Sequence, residues 1–441
     1  MRRFFRFFVG IVTLLSFLLL SGCGGGNGNE GGNLVGSNLI SSKVLDDINA
    51  STILGLVKTN LGVNATNAFG YKAIKITYRT KNIKGKDINA SGLLVIPTPT
   101  KAFLQTPQGK KFSISAVCDN HGTIFLNSEA PTEVEKSTHL YPTALLMSGY
   151  AGFALIAPDY VGYGDSKGEI HPYIMKRSAQ ASLDMIRASV RYMTDHHILF
   201  NGQLFLSGYS EGGYVTMALA KEIEEKYNNE FKLMGVVPMA GPYDIKALAD
   251  VDLQTNTPMV YPAFLAEIAY SYSKAYDLNL SNIVVKPQIF NSVNLFGGDY
   301  DTIPIHVALG LADINNSDYG FNTHYANELF KSSFINDYFT NSDNKMKKLF
   351  EENSVYNWKP KSKINLIQCL NDEIIPFAIS SKKAYDTMIA NGVTDINLTV
   401  IPDSYIPAAT ATTPFVHQRC AGVAYGIATK WFSDIRSGVI K

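Results

Sequence analysis

The feature that most constrains the fold is a short apolar run that passes directly into a glycine-flanked serine. Residues 203–207 read Gln-Leu-Phe-Leu-Ser, which is typical of a strand buried on both faces. The run Gly-Tyr-Ser-Glu-Gly follows at residues 208–212, and apolar residues recur at helical spacing over 215–223. A strand, a sharp turn and a helix around Gly-x-Ser-x-Gly hold the serine where its hydroxyl is exposed. The sequence therefore predicts a nucleophilic Ser210.

Short apolar runs alternate with helical patterns along much of the chain, which is typical of a parallel sheet covered by helices. The predicted strands of this part cover residues 111–117, 153–157, 203–207, 235–239, 364–369 and 397–401. Two earlier runs, at 73–79 and 90–97, are separated by the turn signal Lys-Gly-Lys-Asp and predict a hairpin. We therefore expect an α/β fold, doubly wound, with an antiparallel N-terminal edge.

Charge and spacing exclude several classes of site. The 441 residues include 39 basic and 38 acidic ones, for a formal net charge of +1. Nucleic-acid binding normally needs a basic patch or stripe, so no nucleic-acid partner is expected. A glycine-rich loop at 157–166 lacks a Walker lysine and the spacing of a dinucleotide-binding loop. The histidines and cysteines show no zinc-ligand spacing, so we expect no cofactor and no metal.

The N-terminus reads as a targeting segment. Arginines precede an apolar run over residues 7–20, which is too short to span a bilayer comfortably. The run ends in Leu-Ser-Gly-Cys, which resembles a bacterial lipobox with Cys23 as the lipidated residue. We expect a lipoprotein signal peptide at 1–22, a Gly-rich tether at 23–40 and attachment to the cell envelope, at the outer membrane of a Gram-negative host. The alternatives are an ordinary signal peptide and an uncleaved anchor.

Three cysteines remain beyond the lipobox, namely Cys118, Cys369 and Cys420. An exported protein can keep a disulfide, so one pair and one free thiol are possible. Three buried thiols are the alternative, and the sequence leaves the pairing open.

The general base is chosen by chain order. A serine hydroxyl needs a base to remove its proton, and in this type of fold the order is serine, acid, histidine. Three histidines follow Ser210, and two of them, His306 and His324, fall in a segment that breaks the alternation. His417 follows the last predicted strand and precedes the final helical pattern. We therefore expect His417 to be the base.

The acidic partner of the base is expected directly after the penultimate strand. Asp372 is the first acidic residue after the strand at 364–369, and a turn ending in Pro376 follows it. It would fix the histidine tautomer and stabilise the imidazolium during turnover. Glu373 is the competing candidate, and Asp403 is a more distant one.

Two backbone N–H groups are expected to bind the oxyanion of a tetrahedral intermediate. One is that of Glu211, the residue after the nucleophile. The other lies in Asn-His-Gly-Thr at residues 120–123, where Thr123 is preferred and Gly122 is the alternative. We expect His121 to be structural and His171 to lie at the surface, with a position at the mouth of the site as the alternative.

These residues together give the chain its family resemblance. From about residue 72 to the end it resembles the serine α/β-hydrolases, and within them the secreted lipase and esterase group. The resemblance rests on His-Gly-Thr at 121–123, Pro-Asp-Tyr-Val-Gly-Tyr-Gly at 158–164, the serine motif at 208–213, Asp372 and His417. It implies a mostly parallel eight-stranded sheet and cofactor-free hydrolysis of a carboxylic ester through an acyl-enzyme.

The long interval between Ser210 and Asp372 predicts an insertion. The stretch 247–358 is rich in aromatic residues and helix-like patterns, and we interpret it as a helical cap or lid. The α/β-hydrolase core then covers 71–246 and 359–441. Residues 41–70 form an N-terminal extension, expected to be helical or irregular.

The predicted function is that of a carboxylesterase or lipase acting on a small-molecule or lipid ester, held at the membrane by a lipid on Cys23. A serine peptidase and a polysaccharide acyl esterase use the same triad and are alternatives on the same fold. A non-catalytic surface binding protein is an alternative of another class.

Overall fold

The computed structural model describes residues 38–410 and 413–440. The predicted signal peptide, Cys23 and most of the tether lie outside the described residues. Within the described ranges, no helix combines the length and the apolar character needed to cross a bilayer.

One nine-stranded sheet forms the centre of the protein, in the order β1-β2-β3-β5-β4-β6-β7-β8-β9. Its strands are β1 (Leu39–Ile48), β2 (Gly70–Lys81), β3 (Asp87–Thr98), β4 (Ile114–Asn120), β5 (Ala154–Pro158), β6 (Phe200–Tyr209), β7 (Lys232–Met239), β8 (Ile364–Cys369) and β9 (Ile396–Ile401). The first three strands and the β3–β5 pair are antiparallel, and the pairs from β5 to β9 are parallel. The expected doubly wound α/β sheet with an antiparallel edge is confirmed.

The sheet has one strand more than the eight expected, and the extra strand corrects the prediction for residues 41–70. This segment holds β1 and the helix α1 (Ala50–Asn60), where a helical or irregular extension was expected. Strand β1 lies at the sheet edge, pairs with β2 alone and is mostly exposed. A strand that buries so little needs no apolar alternation, so residues 39–48 show no strand pattern in the sequence.

The remaining α-helices of the described residues follow in chain order. They are α2 (Lys101–Leu104), α3 (Pro131–Thr138), α4 (Pro142–Ala144), α5 (Ser178–Asp195), α6 (Glu211–Lys226), α7 (Ile245–Asp252), α8 (Pro262–Ala275), α9 (Pro287–Ser292), α10 (Thr302–Leu309), α11 (Ala326–Leu329), α12 (Ser332–Thr340), α13 (Lys345–Asn353), α14 (Ser381–Ala390) and α15 (Val416–Arg436). Helices α7 to α13 all lie between β7 and β8, so this connection carries the additional helices of the chain.

The sheet separates two apolar cores, because successive side chains of a strand point to opposite faces. In β3, Leu94 and Ile96 belong to the core under α5 and α6, whereas Leu93 and Val95 belong to the core under α1 and α15. All four side chains are buried. Covering both faces explains why the central strands read as continuous apolar runs.

A disulfide between Cys369 and Cys420 joins the end of β8 to α15. Both cysteines are fully buried, and Cys118 in β4 is a buried free thiol. The pairing that the sequence left open is thereby assigned. The crosslink closes a loop with a sequence separation of 51 residues.

Removing this crosslink should destabilise the fold. We expect the double variant Cys369→Ala/Cys420→Ala to lose about 2–4 kcal/mol of unfolding free energy, since a disulfide restricts the unfolded chain. Denaturant titrations with and without reductant measure the difference. Reductant should weaken the wild type and a Cys118→Ala control but leave the double variant unchanged; equal sensitivity of all three proteins would contradict the assignment.

Candidate active site

The residues predicted to be catalytic follow three parallel strands whose carboxyl ends lie at one edge of the sheet. Ser210 follows β6, Asp372 lies in the loop after β8, and His417 is the second residue of α15, beyond β9. Open α/β sheets form their ligand sites at this edge. The topology therefore brings together side chains that are far apart in sequence.

Ser210 sits at a sharp turn between β6 and α6, with φ 60° and ψ −122°. Its N–H donates to the carbonyl of Met239 at 2.9 Å, which ties the turn to the neighbouring strand. The flanking glycines allow close backbone approach: a Cβ on Gly212 would lie 1.8 Å from the carbonyl oxygen of Asn120, and one on Gly208 would lie 2.3 Å from that of Gly212. A side chain at either position would push the turn away from β4.

His417 connects the serine to the acid. Its Nε2 lies 2.8 Å from Ser210 Oγ, and its Nδ1 lies 2.7 Å from Asp372 Oδ2. The histidine is only 5% exposed, and Asp372 is buried as well. With the proton on Nδ1 donated to the carboxylate, Nε2 is free to accept the serine proton.

Asp372 is held by its own loop. Its Oδ1 accepts the backbone N–H groups of Ile374 at 3.1 Å and Ile375 at 2.8 Å, which leaves Oδ2 for His417. The other two candidate acids have different partners. Glu373 accepts the N–H groups of Val416 and His417 at the start of α15, and Asp403 accepts from Asn371 at 2.6 Å.

The loop after β4 reaches Ser210. A Cβ on Gly122 would lie 3.7 Å from Cβ of Ser210, so this glycine stands directly beside the serine. The N–H groups of Gly122, Thr123 and Glu211 have no hydrogen-bond partner in the described part of the chain. All three are therefore available as oxyanion donors. His121 is buried, with Nδ1 2.7 Å from the Gly122 carbonyl, which fits the structural role expected of it.

The position of His171 corrects the prediction of a surface residue. It is buried under the nucleophile turn, and its Nε2 lies 2.6 Å from Glu211 Oε1. Its Nδ1 donates to the carbonyl of Val161 at 2.9 Å. The hydrogen bond at Nε2 therefore places a proton between the imidazole and the Glu211 carboxylate. Burial disfavours the imidazolium, but the Glu211 carboxylate, Glu267 and the Val161 carbonyl together raise the pKa of His171. The two residues are 40 positions apart, so no local motif reveals the pair.

Glu267 of α8 faces the same buried pair. Ser271, on the same helix, donates to the carbonyl of His171 at 2.7 Å and fastens α8 to the core. Glu267 is 1% exposed, and its Oε2 has no hydrogen-bond partner within the described residues. Burial raises the pKa of Glu267 to about 8, and the nearby Glu211 adds to the rise while His171 opposes it. At neutral pH this carboxyl is therefore largely protonated.

A cleft opens from Ser210 toward α7 and α8, which lie between β7 and β8. Its cavity volume is about 50 Å³, and Ser210 and Glu211 are among the residues that line it. The remaining wall is mostly apolar and includes Tyr261, which stacks on Phe264 with ring centroids 4.0 Å apart. The described residues contain no group of three or more histidine, cysteine or acidic side chains that could hold a metal ion.

Comparison with known proteins identifies the type of hydrolase. The secretory lipase family model matches residues 129–282, a segment that contains Ser210 but ends before Asp372 and His417. The esterase LipA of Xanthomonas oryzae, described as rice cell wall degrading, has 21% identity and a TM-score of 0.73, with 89% of this chain and 97% of LipA covered. The chain therefore has the α/β-hydrolase fold, and part of it matches a secretory lipase family.

Two further structures resemble this α/β-hydrolase. A putative hydrolase from Legionella pneumophila has 20% identity and a TM-score of 0.72, with 90% of this chain and 98% of that chain covered. Candida antarctica lipase A has 16% identity and a TM-score of 0.56, with 90% of each chain covered. No curated protein matches the sequence. The family match and the fold together support a carboxylic ester hydrolase.

Substituting Asp372 and Glu373 one at a time should separate their roles. Asp372→Asn should lower kcat about 10⁴-fold, because the amide no longer stabilises the imidazolium or the correct tautomer. Glu373→Gln should lower kcat less than tenfold and remove about 1 kcal/mol of stability, because Glu373 contacts the N-terminus of α15. Steady-state kinetics and denaturant titration measure both effects. A larger loss of kcat in Glu373→Gln than in Asp372→Asn would show that Glu373 is the acidic partner of His417.

Glu267 should make stability depend on pH. Its folded pKa of about 8 exceeds the ordinary 4.5, so the folded state gains stability from the proton at low pH and loses it as pH rises through 8. We expect Glu267→Gln to match the wild type at pH 5 and to be about 3–5 kcal/mol more stable at pH 9. Denaturant titration at both pH values tests this, with the exposed Glu225→Gln as control. If Glu267→Gln differs from the wild type in stability by the same amount at pH 5 and at pH 9, the raised pKa of Glu267 is contradicted.

Proposed function

We propose that this α/β-hydrolase cleaves carboxylic esters with Ser210 as nucleophile, His417 as general base and Asp372 as its acidic partner. The observation that carries the proposal is the pair of short hydrogen bonds that His417 makes, to Ser210 Oγ at 2.8 Å and to Asp372 at 2.7 Å. Serine, histidine and carboxylate in this geometry activate a hydroxyl that is otherwise a poor nucleophile.

In the proposed mechanism His417 Nε2 takes the proton of Ser210 as Oγ attacks the ester carbonyl. The N–H of Glu211 and that of Thr123, or of Gly122 in its place, stabilise the oxyanion. His417 then gives the proton to the leaving alcohol, which leaves an acyl group on Ser210. In the second half His417 activates a water molecule that releases the acid and restores the serine.

The buried pair of Glu211 and His171 supports the oxyanion site in this mechanism. Glu211 supplies a backbone N–H to the oxyanion while its carboxylate is held by His171 on the far side of the turn. This bond fixes the first residue of α6, whose N-terminal end favours negative charge. Since Glu267 is protonated at neutral pH, it adds no negative charge near the developing oxyanion.

We further propose that the enzyme is exported and anchored by a lipid on Cys23. The basic and apolar segment before Cys23 and the match to a secretory family support export. The lipid anchor rests on the lipobox resemblance alone. Mass spectrometry of the mature N-terminus tests it.

An esterase that removes acyl groups from polysaccharide is a second candidate on the same site. It is favoured by the likeness to LipA, which is described as a rice cell wall degrading esterase. The mostly apolar wall of the cleft favours an ester with an apolar arm instead. Release of acetate from acetylated xylan, set against hydrolysis of p-nitrophenyl esters, separates the two.

Loss of the serine hydroxyl is the direct test of the proposal. Ser210→Ala should lower kcat/KM for p-nitrophenyl esters by about 10⁴-fold or more, and a fluorophosphonate should label the wild type at Ser210. Ser189→Ala is the matched control, because this buried hydroxyl lies in α5 and has no hydrogen-bond partner among the described residues. Equal turnover by Ser210→Ala and the wild type would rule out the nucleophile.

A further inference from the structure

A pair of side-chain hydroxyl groups lies close to the candidate oxyanion donors. Thr123 Oγ1 is 2.9 Å from the phenol oxygen of Tyr173. Tyr173 is buried and lines the cleft together with Ser210 and Glu211. Thr123 directly follows Gly122, the glycine that stands beside the serine. The two hydroxyls therefore belong to the same part of the site as the reacting oxygen.

The pair has one more hydrogen than it uses. Within the described residues, the hydroxyl of Thr123 and that of Tyr173 have only each other as hydrogen-bond partners. Two O–H groups supply two hydrogens, and the bond between them takes up one. The second hydrogen has no acceptor in this part of the chain, so it is available to an acceptor that comes from outside the protein.

Burial and acidity decide which hydroxyl keeps the unused hydrogen. Tyr173 is 3% exposed, so the phenol hydrogen has only Thr123 Oγ1 to bind, whereas Thr123 is half-buried. A phenol is also the better donor, because it is more acidic than an aliphatic hydroxyl. Burial raises the pKa of Tyr173, and the carboxyl groups of Glu211 and Glu267 add to the rise. Tyr173 therefore keeps its proton and donates to Thr123, and the hydrogen of Thr123 is the unused one.

Tyr173 has a fixed position because α8 binds the backbone around it. Ser271 Oγ accepts the N–H of Tyr173 at 3.1 Å and donates to the carbonyl of His171 at 2.7 Å. The phenol of Tyr272 donates to the carbonyl of Ile174 at 2.9 Å. These bonds hold the residues on both sides of Tyr173, so its phenol stays opposite Thr123.

Two other tyrosines contact the same loop in a different way. Tyr160 donates to the carbonyl of His121 at 3.0 Å, and Tyr163 donates to the carbonyl of Ile124 at 2.5 Å. Both phenols bind backbone oxygens and so fasten the loop. Tyr173 instead binds a hydroxyl, which is itself a donor. Its contact therefore orients a functional group as well as holding the loop.

We propose that the side-chain hydroxyl of Thr123 is a further donor to the oxyanion and that Tyr173 is the residue that positions it. The proposal rests on the proposed ester hydrolysis at Ser210. As Ser210 Oγ attacks, the carbonyl oxygen gains negative charge beside the N–H donors, and the unused hydrogen of Thr123 turns toward it. The bond from Tyr173 strengthens this donor, because hydrogen bonds in a chain polarise one another. The contact acts mainly on kcat, since the ground-state carbonyl carries less charge.

The first test removes the hydroxyl and keeps the shape of the side chain. Thr123→Val should lower kcat for p-nitrophenyl butyrate by about 10²–10³-fold, the loss expected for one oxyanion donor, with KM changed by less than about threefold. Thr123→Ser keeps a hydroxyl and should retain kcat within about tenfold of the wild type. An aryl boronic acid, which forms a tetrahedral adduct with a serine, should bind Thr123→Val more weakly by a factor similar to the loss of kcat.

The second test is a double-mutant cycle that separates positioning from a purely structural role. Tyr173→Phe should lower kcat by about tenfold, because the Thr123 hydroxyl remains but loses its fixed orientation. The variant with both Thr123→Val and Tyr173→Phe should lose no more than Thr123→Val alone, because Tyr173 acts through that hydroxyl. Tyr163→Phe is the matched control, since its phenol binds a carbonyl of the same loop. Its loss of kcat should multiply with that of Thr123→Val.

Three results would overturn the proposal. They are an unchanged kcat in Thr123→Val, a kcat in Thr123→Ser as low as that in Thr123→Val, and a double variant whose loss is the product of the two single losses. Ser210-dependent hydrolysis by the wild type persists in all three cases, so the proposed function stands. Failure of the proposed function is a different result, because the wild type would then hydrolyse the ester no faster than Ser210→Ala.

Discussion

The close contact between the nucleophile turn and strand β4 is the constraint on which the rest of the site depends. Gly212 lies so near the carbonyl of Asn120 that even a methyl group would collide with it. This approach lets α6 start directly at the end of β6 and holds Ser210 at a positive φ. The same contact places Gly122, in the loop after β4, beside Ser210. Ser210 and the candidate oxyanion donors therefore depend on one backbone contact.

Asp372 and His417 are linked more strongly than their sequence separation suggests. The disulfide partner Cys369 lies three residues before Asp372, and Cys420 lies three residues after His417. Glu373 adds a second link, since its carboxylate binds the first N–H groups of α15. The crosslink and the carboxylate contact flank the Asp372–His417 hydrogen bond, so the loop and the helix are held in register from both sides.

The sequence predicts those parts of the fold and site that depend on local pattern. Buried strands and the turn around Ser210 follow from neighbouring residues, whereas Asp372 and His417 are selected by their order along the chain. Strand β1 was missed because an exposed edge strand needs no apolar alternation. The His171–Glu211 pair was missed because its partners meet only once two separate loops have folded. The cysteine pairing stayed open because three cysteines allow several connectivities.

The position of the inserted helices between β7 and β8 has a consequence for how such an enzyme can diversify. The wall of the cleft comes largely from this one connection, whereas the turn at Ser210 and the helix that bears His417 lie outside it. Substitutions in α7 or α8 can reshape the wall without moving a strand. The preferred ester and the chemical step can thus change independently during evolution, and a library confined to the inserted helices would sample new substrates on an unaltered catalytic frame.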